Sequence, residues 1–327
     1  MKQQTMLVCV LGCAVVFLFS SVSRSSAAAS VPASGSAKPG FSIGLGTGKM
    51  AGETVYQIGF PAVAPTGERY AGYFPFSELE WPLDFWLATI DGVATLNDRW
   101  RATVSISKNL STPQNDMNDS DWLTPADPAQ LDVYSEFRIS SFDVFIVDAD
   151  IEWFFFRQPA ISLYVGAGMV YQNFDYESEL LYQYSPSGLE GFASVGDGRT
   201  GITYEMTYSL PYVKIGADLQ LAAGLEILGS FAYSPIVQAE DSDHHLLREF
   251  GGKRASGDMD GTAYLVEVSG RYLITPAFFV EATFNYLHIE VDGNQYQEYG
   301  IGVPIGSFRQ EAESTQTSAY VTLGYSF

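Results

Sequence analysis

Cysteine is almost absent from this sequence, with Cys9 and Cys13 the only two in 327 residues. Both fall inside an apolar run, Met6 to Phe19, that follows Lys2 and precedes the small residues Ala27, Ala28 and Ala29. This is the pattern of a secretory signal peptide, so residues 1–29 are expected to be removed, leaving 30–327 as the functional domain. The run is too short for a spanning helix, which needs roughly 20 apolar residues. Val10-Leu11-Gly12-Cys13 resembles a lipidation box, but the apolar run continues past it, which argues against lipidation. An exported chain without cysteine has no disulfide staple, thiolate metal site or cysteine nucleophile.

Basic residues are also scarce. There are 17 Lys and Arg against 38 Asp and Glu, a formal charge of -21 that becomes -23 when Lys2 and Arg24 leave with the leader. Such a surface repels nucleic acid and attracts cationic partners. After residue 29 no run of 18 apolar residues remains, which excludes a transmembrane helix. With 46% hydrophobic and 17% charged residues, the chain still has enough apolar surface to fold.

What is present instead is alternation with period two. Ala319, Val321, Leu323, Tyr325 and Phe327 form one apolar face of the final segment, and Leu79, Trp81, Leu83, Phe85 and Leu87 form another against Glu78, Glu80 and Asp84. Val147, Ala149, Ile151, Trp153 and Phe155 repeat the rhythm against Asp148, Asp150 and Glu152. Alternation alone fits a soluble sandwich as well as a membrane barrel. Connection lengths favour the barrel: short turns near 91–98, 157–160, 218–223 and 274–277 alternate with polar stretches over 50–75, 109–139, 175–205, 234–262 and 290–316. Nine such connections join ten strands. The expected fold is therefore all-β, a ten-stranded antiparallel up-and-down transmembrane β-barrel with long extracellular loops, in the outer membrane of a Gram-negative bacterium. Its inward face is expected to carry Glu78, Glu80, Asp84, Arg101, Asp148, Asp150, Glu152, Lys214, Glu267, Arg271 and Glu281, mostly pairing with one another. An open pore usually needs about 16 to 18 strands, so a narrow channel is the weaker reading.

Histidine is the third scarcity. Of three in the chain, His244 and His245 sit beside Asp241 and Asp243 in the fourth long connection. At strand spacing Asp241, Asp243 and His245 share one side, where a carboxylate can orient an imidazole base, and His244 faces away. Simple parity from Leu225, Ile227, Phe231 and Tyr233 would turn that side to the lipid, so a one-residue bulge is expected near Pro235. The second long connection holds Asn118-Asp119-Ser120-Asp121-Trp122, again two carboxylates at i and i+2. Counting strands places the two clusters on opposite walls of a ten-stranded ring. No His-Glu-x-x-His segment is present, which disfavours a metal-dependent hydrolase.

Asp119-Ser120-Asp121-Trp122, with Tyr233-Ser234 and Asp241-Ser242-Asp243-His244-His245 at matching separation, resembles the catalytic segments of the omptins, outer-membrane endoproteases of Gram-negative bacteria. Leu79-Glu80-Trp81, Ala167-Gly168, Leu210-Pro211-Tyr212 and the stretch from Tyr272 to Pro276 add to the resemblance, which runs along the whole mature chain. It implies an aspartic-type endopeptidase whose groove faces the cell exterior. A water nucleophile would lie between an Asp119–Asp121 couple and an Asp243–His245 couple, with no cofactor. It implies peptide or protein substrates, cationic ones, and Asp241 as an acid that binds a basic residue before the cut. The family's second acid for that residue, a first-strand glutamate, aligns here with Ser42 or Ile43, so preference for a basic residue is expected to be looser. Asp132 is the nearest, weakly aligned match to an acid for the residue after the cut. The family's lipopolysaccharide segment keeps Tyr171 and Gln172, but Asn173 and Asp175 replace its acidic and basic positions, which leaves lipopolysaccharide dependence open. The chain is expected to act as a monomer in contact with outer-membrane lipid. The alternative is a non-catalytic barrel of the same fold with an adhesive or structural role.

Overall fold

A computed structural model describes residues 40–97 and 99–327. The leader expected over 1–29, with Cys9 and Cys13, lies outside the described residues. The elements are strands: β1 (Gly40–Val63), β2 (Arg69–Tyr70), β3 (Ser77–Pro82), β4 (Phe85–Leu96), β5 (Trp100–Asn109), β6 (Met117–Asp121), β7 (Val133–Gln158), β8 (Ile161–Tyr184), β9 (Ser194–Val195), β10 (Thr200–Ala222), β11 (Leu225–His245), β12 (Lys253–Leu273), β13 (Phe278–Tyr299) and β14 (Pro304–Ser326). β3 and β4 are two parts of one stave of the barrel, interrupted at Leu83 and Asp84, and β5 and β6 are two parts of the next. Ten staves pair antiparallel in a ring that closes where β1 meets β14. β2 and β9 are short additions to β1 and β8.

The polar stretches expected as loops are largely strand. β11 runs to His245 and β12 begins at Lys253; β13 ends at Tyr299 and β14 starts at Pro304. A 24-residue strand such as β1 spans about 80 Å at about 3.3 Å per residue, or about 60 Å of height at a barrel tilt near 40°. The apolar band a membrane covers is only about 25 Å tall, so more than half of the barrel stands in water. There the outer face is polar, and polarity in the sequence no longer marks a loop.

The same division inverts the inner face. Within the band, Ile43, Leu45, Ile90, Val104, Ile151, Val213, Ile215, Phe231, Val268, Val321 and Leu323 point outward and are exposed. Inside lies a cavity of about 250 Å³ lined by Asp91, Arg101, Asp148, Asp150, Glu152 and Lys214, among others. Arg101 pairs with Glu152 and with Asp218 at 2.8 Å, and Lys214 with Asp150 at 2.7 Å and Glu152 at 2.6 Å. Above the band the apolar side chains turn inward. Tyr56, Leu79, Trp81, Leu83, Phe85, Met117, Tyr204 and Tyr208 are completely or almost completely buried and fill the interior. Glu78, Glu80 and Asp84 therefore do not face the lumen as expected. They lie on the opposite side of their strand, where Glu80 accepts the Asn118 amide at 3.0 Å and Asp84 caps Gln114 N–H at 3.1 Å. The apolar face from Leu79 to Leu87 packs a core in water; it does not meet lipid.

The expected bulge is present. Against β12, Ser234 opposes Ala263 and Val237 opposes Gly261, so Pro235 and Ile236 on β11 share the single partner Thr262. Both are exposed, and beyond them burial resumes on Val237, Ala239, Asp241, Asp243 and His245. Removing Ile236 would pair β11 regularly with both neighbours without changing which face any later residue takes. That deletion is expected to fold to the same heat-modifiable band on a gel, and a chain that no longer folds would show that the bulge itself is required.

Candidate active site

β6 is held between β3 and β7, with Asp119 opposite Leu79 and Ser135 and Asp121 opposite Ser77 and Val133. From another wall β11 brings Asp243 opposite Tyr204 of β10 and Ala255 of β12. Outward neighbours Gln238, Glu240 and Ser242 are exposed and polar, which places this part of β11 above the apolar band.

Asp243 and His245 are both buried, and His245 Nε2 lies 3.0 Å from Asp243 Oδ2. The acceptor assigns the tautomer: Nε2 carries the proton given to Asp243, leaving Nδ1 as the basic nitrogen. Burial works against the Asp243 charge, but the charge of His245 and its hydrogen bond outweigh it and hold the carboxyl below its usual range. Burial lowers the His245 pKa, with Asp243 opposing. Asp119 is buried too, and its carboxyl is pushed well above the usual range, first by burial and then by Asp121. Arg248 and Lys253 offset part of that, while Asp243 is close enough to add to it. The structure thus brings Asp119, Asp121, Asp243 and His245 into one electrostatic neighbourhood, on strands where loops were expected. His244 points to the other side of β11, with its Nε2 buried and lacking a hydrogen-bond partner.

The floor is aromatic. Trp81 stacks on Tyr204 with ring centres 4.7 Å apart, and Tyr204 stacks on Tyr56 at 5.6 Å. The Tyr56 hydroxyl accepts a hydrogen bond from Gln295, whose carbonyl accepts from Gln297 at 2.6 Å. Oδ1 of Asp119, Asp241 and Asp243 has no hydrogen-bond partner. Leaving buried acceptors unmet costs about 1–3 kcal/mol each.

Two substrate-binding expectations change. Ser42 pairs with Ser326 and Val93 at the end where the chain's first and last described strands begin and finish, and Ile43 points out of the apolar band. The β1 side chains that share the interior with Asp241 are Thr54 and Tyr56, a dozen residues further along. Thr54 lies 2.8 Å from Ser314, and Tyr56 feels the charges of Asp243 and Asp241. The displacement follows from the length of β1, which carries its inner face far above the membrane. Asp132 is buried, and both its oxygens are already engaged, by Leu123 N–H at 2.7 Å and the Gln130 amide at 3.2 Å. The Ser187 hydroxyl first, and then these bonds, hold its pKa low. Asp132 ties the connection after β6 together.

Sequence reasoning missed Tyr56, Gln295 and Gln310, of which Gln310 donates to Asp241 at 2.5 Å. A signal existed: Gln310, Ala312, Ser314 and Gln316 alternate over a stretch read as a loop, and all are buried.

A profile of the Omptin family matches residues 40–327. Protease 7 from Escherichia coli O157:H7 is 25% identical over 195 residues, and the strain K12 protein of that name is 24% identical. Each match covers 54% of this chain and 57% of the relative, so the chain aligns with little more than half the length of these proteins. The crystal structure of the outer membrane protease OmpT from Escherichia coli shares the fold, with a TM-score of 0.71 and 19% identity over 88% of this chain and 97% of that one. With the profile spanning nearly all described residues, this chain belongs to the Omptin family.

Proposed function

We propose that the protein is an outer-membrane endopeptidase whose nucleophile is a water between Asp119–Asp121 and Asp243–His245. The observation that carries this reading is the buried Asp243–His245 hydrogen bond within electrostatic reach of Asp119. His245 Nδ1 takes a proton from the water as its oxygen adds to the peptide carbonyl carbon. Asp243 stabilises the imidazolium that forms, and Asp119 and Asp121 orient the water. The imidazolium then returns the proton to the amide nitrogen, the C–N bond breaks, and a carboxylate and an amine leave. The groove stands above the apolar band, on the side away from the short turns, and so faces the cell exterior. A formal charge of -21 over the whole chain favours cationic peptides through long-range steering that weakens as salt rises.

The test is to incubate the purified, refolded protein with a mixed peptide library, with and without excess chelator. Cleavage is expected in both conditions. Cleavage lost with chelator would instead support a metal-dependent hydrolase, and no cleavage at all would favour an adhesive or structural barrel.

The acid limb of the pH profile offers a further check. His245 must be neutral to act as the base, and burial lowers its pKa. Activity is therefore expected to persist below the free-imidazole value of about 6.5 and to fall only at a lower pH. A kcat/KM midpoint above 6.5 would contradict the assignment.

On the outer wall, Asn173 donates to Glu205 at 2.8 Å and Gln172 turns inward to pair with Gln316 at 2.9 Å. These contacts offer no cation to a lipid phosphate, which supports activity that does not depend on lipopolysaccharide.

A further inference from the structure

Asp241 lies two residues before Asp243 on the same inward face, where its carboxylate could receive a cationic side chain of a substrate. The chain already supplies a donor. Gln310 is completely buried, and its Nε2 donates to Asp241 Oδ2 at 2.5 Å. Gln310 belongs to β14 and Asp241 to β11, so the amide must cross the positions of two intervening strands. Both offer a glycine there: Gly293 of β13 opposes Gln310, and Gly257 of β12 opposes Asp241. A Cβ on Gly257 would come within 1.9 Å of Gln310 Oε1 and 2.5 Å of Asp241 Oδ1. Gln310 Oε1, like Asp241 Oδ1, has no hydrogen-bond partner. Gly257 leaves the space that the end of the Gln310 side chain fills. A neutral amide also suits this acid, whose pKa burial raises to about 7 against the Gln310 hydrogen bond.

We propose that Gln310 is a specificity-determining residue that occupies the acid-floored pocket of the groove, giving Asp241 the hydrogen bond a basic substrate residue would otherwise give. The pocket is thereby turned from lysine and arginine toward short neutral side chains. This rests on the endopeptidase reading for its consequence in cleavage, but the filling of the pocket can be measured separately. Restoring a carboxylate at Ser42 or Ile43 would leave the preference unchanged, because neither residue is near Asp241.

Two measurements test the proposal on the full-length protein and on Gln310→Ala and Gln310→Ser, each first shown to fold by heat-modifiable migration. The first is the ratio of kcat/KM for matched peptides with lysine or alanine before the cut. The second is binding of lysinamide to the same variants in a His245→Ala background. Gln310→Ala and Gln310→Ser are each expected to raise both the ratio and the affinity about tenfold, the size of one hydrogen bond to a charged group. If peptides are cut but neither quantity moves, or if the parent already cuts only after lysine and arginine, the Gln310 proposal fails while the endopeptidase reading stands. If nothing is cut but lysinamide affinity rises, the filled pocket stands and the endopeptidase reading fails.

Discussion

Replacing His245 by alanine is expected to lower kcat/KM on any cleaved peptide by about 10²–10⁴-fold, the range that a positioned general base contributes. That corresponds to about 3–5 kcal/mol of transition-state stabilisation. Asp243→Ala should fall in the same range, because His245 would lose the acceptor at 3.0 Å that fixes its tautomer and stabilises its charged form. Asp119→Ala and Asp121→Ala should also lose most activity. Residues acting as one unit are not additive, so the His245→Ala, Asp243→Ala double variant should be scarcely worse than either single one. His244→Ala should lose little, since its ring occupies the other side of β11. Steady-state kinetics on these variants, with folding checked by gel migration, decide the matter. A dead His244→Ala beside an active His245→Ala would reverse the assignment.

The second large effect is on stability. Trp81 is completely buried and stacks on Tyr204, with Tyr176 at 4.8 Å between ring centres. This core lies above the apolar band, where the alternative to burial is water, so the hydrophobic effect operates there as in a soluble protein. Trp81→Ala is expected to cost about 3–5 kcal/mol and to loosen the floor beneath Asp241 and Asp243. Because Trp81 Nε1 makes no hydrogen bond, Trp81→Phe should cost much less. Denaturant midpoints followed by tryptophan fluorescence of the remaining residues, or by protease resistance of the upper barrel, measure this. An unchanged midpoint for Trp81→Ala would show that the upper core contributes nothing to cooperativity.

The ring of ten was legible in the sequence because short turns and polar stretches alternate, and because period-two patterns such as Ala319 to Phe327 are unambiguous. The bulge at Pro235 and Ile236 was legible for a different reason. Phe231 and Tyr233, which face lipid, and Asp241 and Asp243, which must face inward, share one parity, and only an extra residue between them reconciles that. What composition could not give was the height of the barrel. Period-two alternation is the same whether lipid or water lies outside, so Leu79, Trp81 and Phe85 read as lipid-facing when they are core. The same ambiguity made β6 and the ends of β11 and β14 look like loops. The resemblance aligned the family's first-strand glutamate with Ser42 or Ile43, at the wrong end of β1 to meet Asp241. Gln310 was hidden because its contact with Asp241 spans 69 residues of sequence and runs through a gap left by Gly257.

The most direct measurement is cleavage of a mixed peptide library, in excess chelator, by the refolded protein and by its Asp119→Ala, Asp243→Ala double variant. The parent is expected to release new amino termini while the folded double variant releases none above background. Equal cleavage by both, or none by a folded parent, would contradict a water nucleophile held between the two couples.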